Sequence, residues 1–173
     1  MVVSQHRLVI TGNSGAGKST LARQLANDYG LAHLDLDTLA WQPTSPPQRR
    51  ELAESARDVE RFVGAHQAWV VEGCYADLLA LLMPIASEWI FLNPGTEACV
   101  RNCRQRPWEP HKYASKAVQD RNLDMLLAWV REYENREDEF SLSAHRRLFD
   151  AFVGPKTEYT QPLSLPIPLN DRS

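Results

Sequence analysis

The run Gly12-Asn13-Ser14-Gly15-Ala16-Gly17-Lys18-Ser19 satisfies the spacing GxxxxGK[ST] at every fixed position. Glycines at this spacing let backbone N–H groups turn inward on phosphate oxygens, and the N-terminus of a following helix adds the positive end of its dipole. Lys18 would reach the β- and γ-phosphates of a nucleotide, Ser19 would hold Mg²⁺, and Thr20 extends the stretch that contacts the cofactor. The competing reading is a bare glycine-rich turn. Average residue usage puts a chance match in a chain of this length at about one in a hundred or lower.

Asp35 and Asp37 come next. On a regular strand, residues two apart point the same way, so both carboxylates would face one crevice at the strand end. One would assist Mg²⁺ and the other would receive the proton of an acceptor hydroxyl; a capping aspartate beside a solvated one is the alternative. Glu72 and Gly73 close a third apolar run, where a carboxylate could meet substrate or metal-bound water and glycine admits close approach, or where a plain turn exposes an acid. Arg101, Arg104 and Arg106 lead into a proline-rich segment, and Lys112 and Lys116 follow. Arg104 and Arg106 are the preferred phosphate-facing cations of this group; solvated surface charge is the reading for most of the others. The five histidines show no metal-ligand spacing, and the tryptophans carry no assigned chemistry.

Elements must position these residues. Leu8–Thr11 reads as a strand buried on both faces, followed by a helix with Leu21, Ala22, Leu25 and Ala26 on one face and a stop at Gly30. A second strand spans Leu31–Asp37, and a helix carries Leu52, Ala56, Val59, Phe62 and Val63. Residues 68–72 and 88–93 read as two further strands. Thr96 would cap a helix through Arg104, Arg106–Tyr113 is a loop, and helices are expected from Ser115 to about Arg136 and from Ser143 to Val153. Leu163–Leu169, interrupted by Pro166 and Pro168, would be an edge strand or an extended tail. Strands alternating with helices imply a parallel sheet with its ligand site at the strand carboxyl ends.

The 173 residues fit one domain over 1–160, with a lid at about 105–116 and a tail over 161–173. A net charge of -3 gives no global field for nucleic acid or an anionic membrane. Three cysteines without paired spacing read as reduced thiols, and neither a leader nor a membrane-length apolar run is expected, which points to the cytoplasm.

The P-loop, the Asp35-Leu36-Asp37 strand end, Glu72-Gly73 and the arginine-bearing helix before a loop together resemble the nucleoside-monophosphate-kinase-like P-loop kinases. Leu34–Asp37, Trp69–Tyr75 and Phe91-Leu92 look like the topology modulation, or adenylate-kinase-related, proteins within that group. The resemblance implies an α/β three-layer fold with a five-stranded parallel sheet, a mobile helical lid, and ATP with Mg²⁺. Similarity to the shikimate kinases of the group makes Asp35 the Mg²⁺ partner and Asp37 the substrate-facing base, although Glu72-Gly73-Cys74 stands where those enzymes carry a glycine-rich turn. The expected activity is ATP-dependent phosphoryl transfer to a small-molecule acceptor, a nucleotide or hydroxylated metabolite. The alternative is a nucleotide-dependent binding or switch module with slow hydrolysis.

Overall fold

The computed structural model describes residues 5–44 and 46–169. The N-terminal end of the expected 1–160 domain and the last residues of the expected tail lie outside that range. Five strands form one sheet in the order β2-β3-β1-β4-β5: β1 (Arg7–Gly12), β2 (Ala32–Asp35), β3 (Trp69–Gly73), β4 (Glu88–Leu92) and β5 (Lys156–Tyr159). Every neighbouring pair is parallel.

Alternate residues of the central strands bury opposite faces. Leu8, Ile10, Val70, Ile90 and Leu92 pack with Leu21 and Leu25 of α1 (Lys18–Tyr29) and with Leu127 and Val130 of a later helix. Val9, Val71, Trp69 and Trp89 pack on the other side with Val59 of α3 (Leu52–Ala65) and Leu78 and Leu79 of α4 (Ala76–Ala80). This two-sided burial is why the strands read as near-continuous apolar runs. It also fixes where the strands end. Asp35 is in register with Glu72, and Thr11 with Gly73, so the acids and the P-loop open on the same edge of the sheet.

Five boundaries differ from those expected of the sequence. The second strand stops at Asp35, and Asp37 opens the short helix α2 (Asp37–Ala40), because the Asp37 N–H turns back to bond Asp35 Oδ1 at 2.9 Å. The two aspartates therefore do not share a regular strand. Thr96 does not cap α5 (Thr96–Gln105); Gly95 precedes it at φ 96° and Thr96 is the first helical residue. The edge strand is Lys156–Tyr159, not 163–169, which carries no strand although Leu169 packs into the core. The long helix α6 (Lys116–Arg131) is capped by Ser115 and passes into a 3₁₀ turn over Glu132–Glu134. The final helix, α7 (Leu142–Ala151), takes its cap from Ser141.

Candidate phosphate and acceptor site

The P-loop runs from the end of β1 into α1. Gly15 and Gly17 take φ 81° and 96°, conformations that favour glycine. At Gly15 there is a second reason: a Cβ would lie 2.4 Å from the Cys99 carbonyl oxygen and 2.7 Å from Cys103 Sγ, so α5 rests directly on the loop. Asn102 of α5 donates to the Gly15 carbonyl at 2.8 Å, and Asn13 Nδ2 donates to the Val130 carbonyl of α6 at 3.2 Å. Lys18, 8% exposed, folds back to donate to the Asn13 carbonyl at 2.7 Å. That bond is local and replaceable, so the ammonium is stored beside the loop it would serve.

Beyond the loop lie the acids. Ser19 Oγ donates to Glu72 Oε1 at 2.6 Å, and His33 Nε2 lies 3.4 Å from the same oxygen. Burial, then the charges of Glu72 and Asp37, push the Asp35 carboxyl up to about 6. Such a concentration of negative charge fits a hard divalent cation. Among the described residues no three His, Cys, Asp or Glu side chains are grouped to hold a metal alone. Ser19, with Asp35 or Glu72, would therefore share Mg²⁺ with phosphate oxygens and water, its preferred partners.

Asp37 occupies a different environment. Its Oδ1 accepts from the Tyr75 hydroxyl and its Oδ2 lies 2.6 Å from Lys112 Nζ. Burial alone would raise its pKa, but the Lys112 ammonium and the hydrogen bonds from Lys112 and Tyr75 hold it below the ordinary carboxylate value. Lys112 also lies 3.6 Å from Asp35 Oδ2 and 3.5 Å from Glu109 Oε1. The aspartates thus converge on one cation even though the strand geometry that predicted their convergence is absent.

The lid segment between α5 and α6 supplies that cation, and it is not one of the arginines. Arg106 lies 3.5 Å from Glu109 Oε2, Arg104 is exposed, and Lys116 pairs with Asp120 one turn along α6. Gly73 is closely approached, but by Leu36 and Tyr75. The sequence reading did not single out Tyr75, and it kept Trp41 out of the site although Trp41 Nε1 donates to Tyr75 Oη at 2.8 Å. The readable signal for Tyr75 was its place two residues beyond Gly73, next to the strand end. Trp108 is a loop anchor, donating to the Tyr113 carbonyl at 3.0 Å.

No protein-family model matches the chain. A shikimate kinase of Moorella thermoacetica (strain ATCC 39073 / JCM 9320) is 32% identical over 103 residues, covering 51% of this chain and 60% of that protein. The chain thus matches about three fifths of the length of that relative. The crystal structure of a gluconokinase from Sinorhizobium meliloti 1021 superimposes with a TM-score of 0.52 at 15% identity, covering 91% of this chain and 84% of the other. At that identity the likeness speaks for the fold. A five-stranded parallel sheet, a P-loop at the end of its central strand and that superposition show that the chain shares the α/β fold of that gluconokinase.

Proposed function

We propose that the chain transfers the γ-phosphoryl group of ATP to a hydroxyl of a small metabolite. The observation that carries this reading is the pairing of a complete P-loop with Asp37, a carboxylate kept ionised by Lys112 at the same sheet edge. The sequence match to a protein named a shikimate kinase supports the same reaction class.

The P-loop N–H groups and Lys18 would bind the β- and γ-phosphates, Lys18 leaving the Asn13 carbonyl to do so. Ser19, with Asp35 or Glu72, would hold Mg²⁺, which when bound supplies charge neutralisation for the phosphates. Asp37 accepts the proton as the acceptor oxygen forms its bond to the γ-phosphorus and the bond to ADP breaks. Lys112, already beside Asp37, would face the charge that develops on the transferred group, with Arg104 at the end of α5 and Arg106 just after it available nearby. The lid excludes water so that the metabolite outcompetes it.

The test is ATP consumption with Mg²⁺ against a panel of nucleotides, sugars, sugar acids and hydroxy acids. One acceptor class consuming ATP well above the water background is the expected result. Equal, slow hydrolysis with every acceptor would overturn the proposal.

A further inference from the structure

The Tyr75 phenol is buried, 2% exposed, at the residue before α4. Its oxygen receives the Trp41 indole N–H at 2.8 Å and gives its own proton to Asp37 Oδ1. An indole nitrogen can only donate and a hydroxyl has one proton to give, so the direction of this chain is fixed: Trp41 to Tyr75 to Asp37. The ring has no freedom to swing away. Phe140 meets it edge-on at 5.3 Å between centroids, and the Arg49 guanidinium lies 4.9 Å above its face. Arg49 is itself held by Asp77 and Glu139, both at 3.2 Å.

We propose that Tyr75, oriented by Trp41, is a positioning residue that gives the two oxygens of Asp37 separate tasks: Oδ1 is tied to the phenol, and Oδ2 is left to receive the acceptor's proton. The inference rests on the reading of Asp37 as the proton acceptor. The last torsion of an aspartate is broad, so a carboxylate with two free oxygens samples many unproductive orientations. Pinning Oδ1 from inside the protein removes that freedom before substrate arrives. Oδ2 then points to the lid side, where Lys112 Nζ sits at 2.6 Å. An incoming hydroxyl would meet an oxygen already held in place with a cation beside it. Tyr75 touches neither substrate nor phosphate in this scheme.

Tyr75→Phe keeps the ring and removes only the hydroxyl. The expected result is a fall in kcat of about ten- to a hundredfold, with KM for ATP and for the acceptor changed less than about twofold. Trp41→Phe should give a smaller fall, because Tyr75 still donates its proton to Asp37 but loses the bond that fixes its direction. In proton–nitrogen spectra the Trp41 indole resonance should move in Tyr75→Phe while those of Trp69, Trp89, Trp108 and Trp129 stay in place. Full kcat in Tyr75→Phe would overturn the proposal. So would a loss of kcat accompanied by a raised KM for ATP and shifts at all the indoles, which would mark general loosening of the structure. Absence of turnover by the wild-type chain with every acceptor would overturn the kinase reading instead. That outcome is distinguishable, because the indole resonance reports the Trp41–Tyr75 bond without any turnover.

Discussion

Around the P-loop the chain holds its shape mainly through backbone: left-handed glycines, the Gly15 carbonyl taken by Asn102, and α5 pressed against Gly15 with no room for a Cβ. Around Asp37 the shape is held by side chains: Tyr75, Trp41, Arg49 and a lysine delivered from a segment some seventy-five residues further along the chain. The first construction is encoded in one short stretch of particular residue types at fixed spacing, which α5 and α6 then brace. The second is non-local and can be assembled from many combinations. Under the proposed reaction this difference would follow from the ligands, because a phosphate group is the same in every nucleotide whereas the acceptor differs between enzymes.

Four experiments would break or sharpen this contrast. The largest effect is expected from Lys18→Ala, which should lower kcat by about a thousandfold while the melting temperature shifts only a few degrees, read by steady-state kinetics and calorimetry. A collapse of the fold would mean that the Lys18–Asn13 bond is structural and the loop is not independently held. Asp37→Asn should cost about a hundredfold in kcat and leave ATP affinity, measured by calorimetric titration, unchanged. Loss of ATP affinity there would erase the division between the two sides.

Lys112→Ala should reduce kcat/KM by about tenfold and speed proteolysis of the 106–115 segment, since the lysine links that segment to Asp35 and Asp37. Unchanged proteolysis would show that the lid is held elsewhere. The smallest effect concerns His145, fully buried, whose Nε2 donates to the Cys74 carbonyl at 2.8 Å while Nδ1 accepts from Tyr133 at 2.7 Å. Burial depresses its pKa to about 4, so the unfolded chain takes up a proton there that the folded chain refuses. Stability is therefore fully present above the ordinary histidine value and falls as pH drops toward 4, by at most ~3 kcal/mol. Because His145 holds the turn that carries Tyr75, hydrogen exchange at pH 5 should rise at residues 74–76 before it rises in the P-loop. Exchange rising first in the P-loop would reverse the assignment.

The same contrast explains what could be read in the sequence. Residues 12–19 announce themselves because the chemistry and the backbone conformation are encoded in one short stretch. The strands at Leu8–Thr11, Trp69–Glu72 and Glu88–Leu92 are legible because both faces are buried and every residue is apolar or closes the run. Lys156–Tyr159 pairs on one side only and reads Lys-Thr-Glu-Tyr, so nothing apolar marks it; its Glu158 is taken up by Arg146. The five-residue helix α4 is too short for periodicity to register. Asp35 and Asp37 were recognisable as a pair, but their convergence comes from a turn and a distant lysine, not from strand alternation. Arg104 and Arg106 stand out in the sequence because guanidinium groups suit phosphate, whereas nothing local marks Lys112 as the cation that reaches both aspartates. How a loop folds back over a crevice is a matter of tertiary closure that residue type does not specify.

The contact between Gly15 and α5 also has a mechanical side. Cys99 and Cys103 lie against the phosphate loop, so the first two turns of α5 cannot travel without carrying that loop with them. They form a fulcrum, and Arg106–Ser115 is the arm beyond it. A swing of that arm would bend the chain after Cys103. A bulkier side chain at 103 would press on Gly15 and strain the P-loop at the root of that arm.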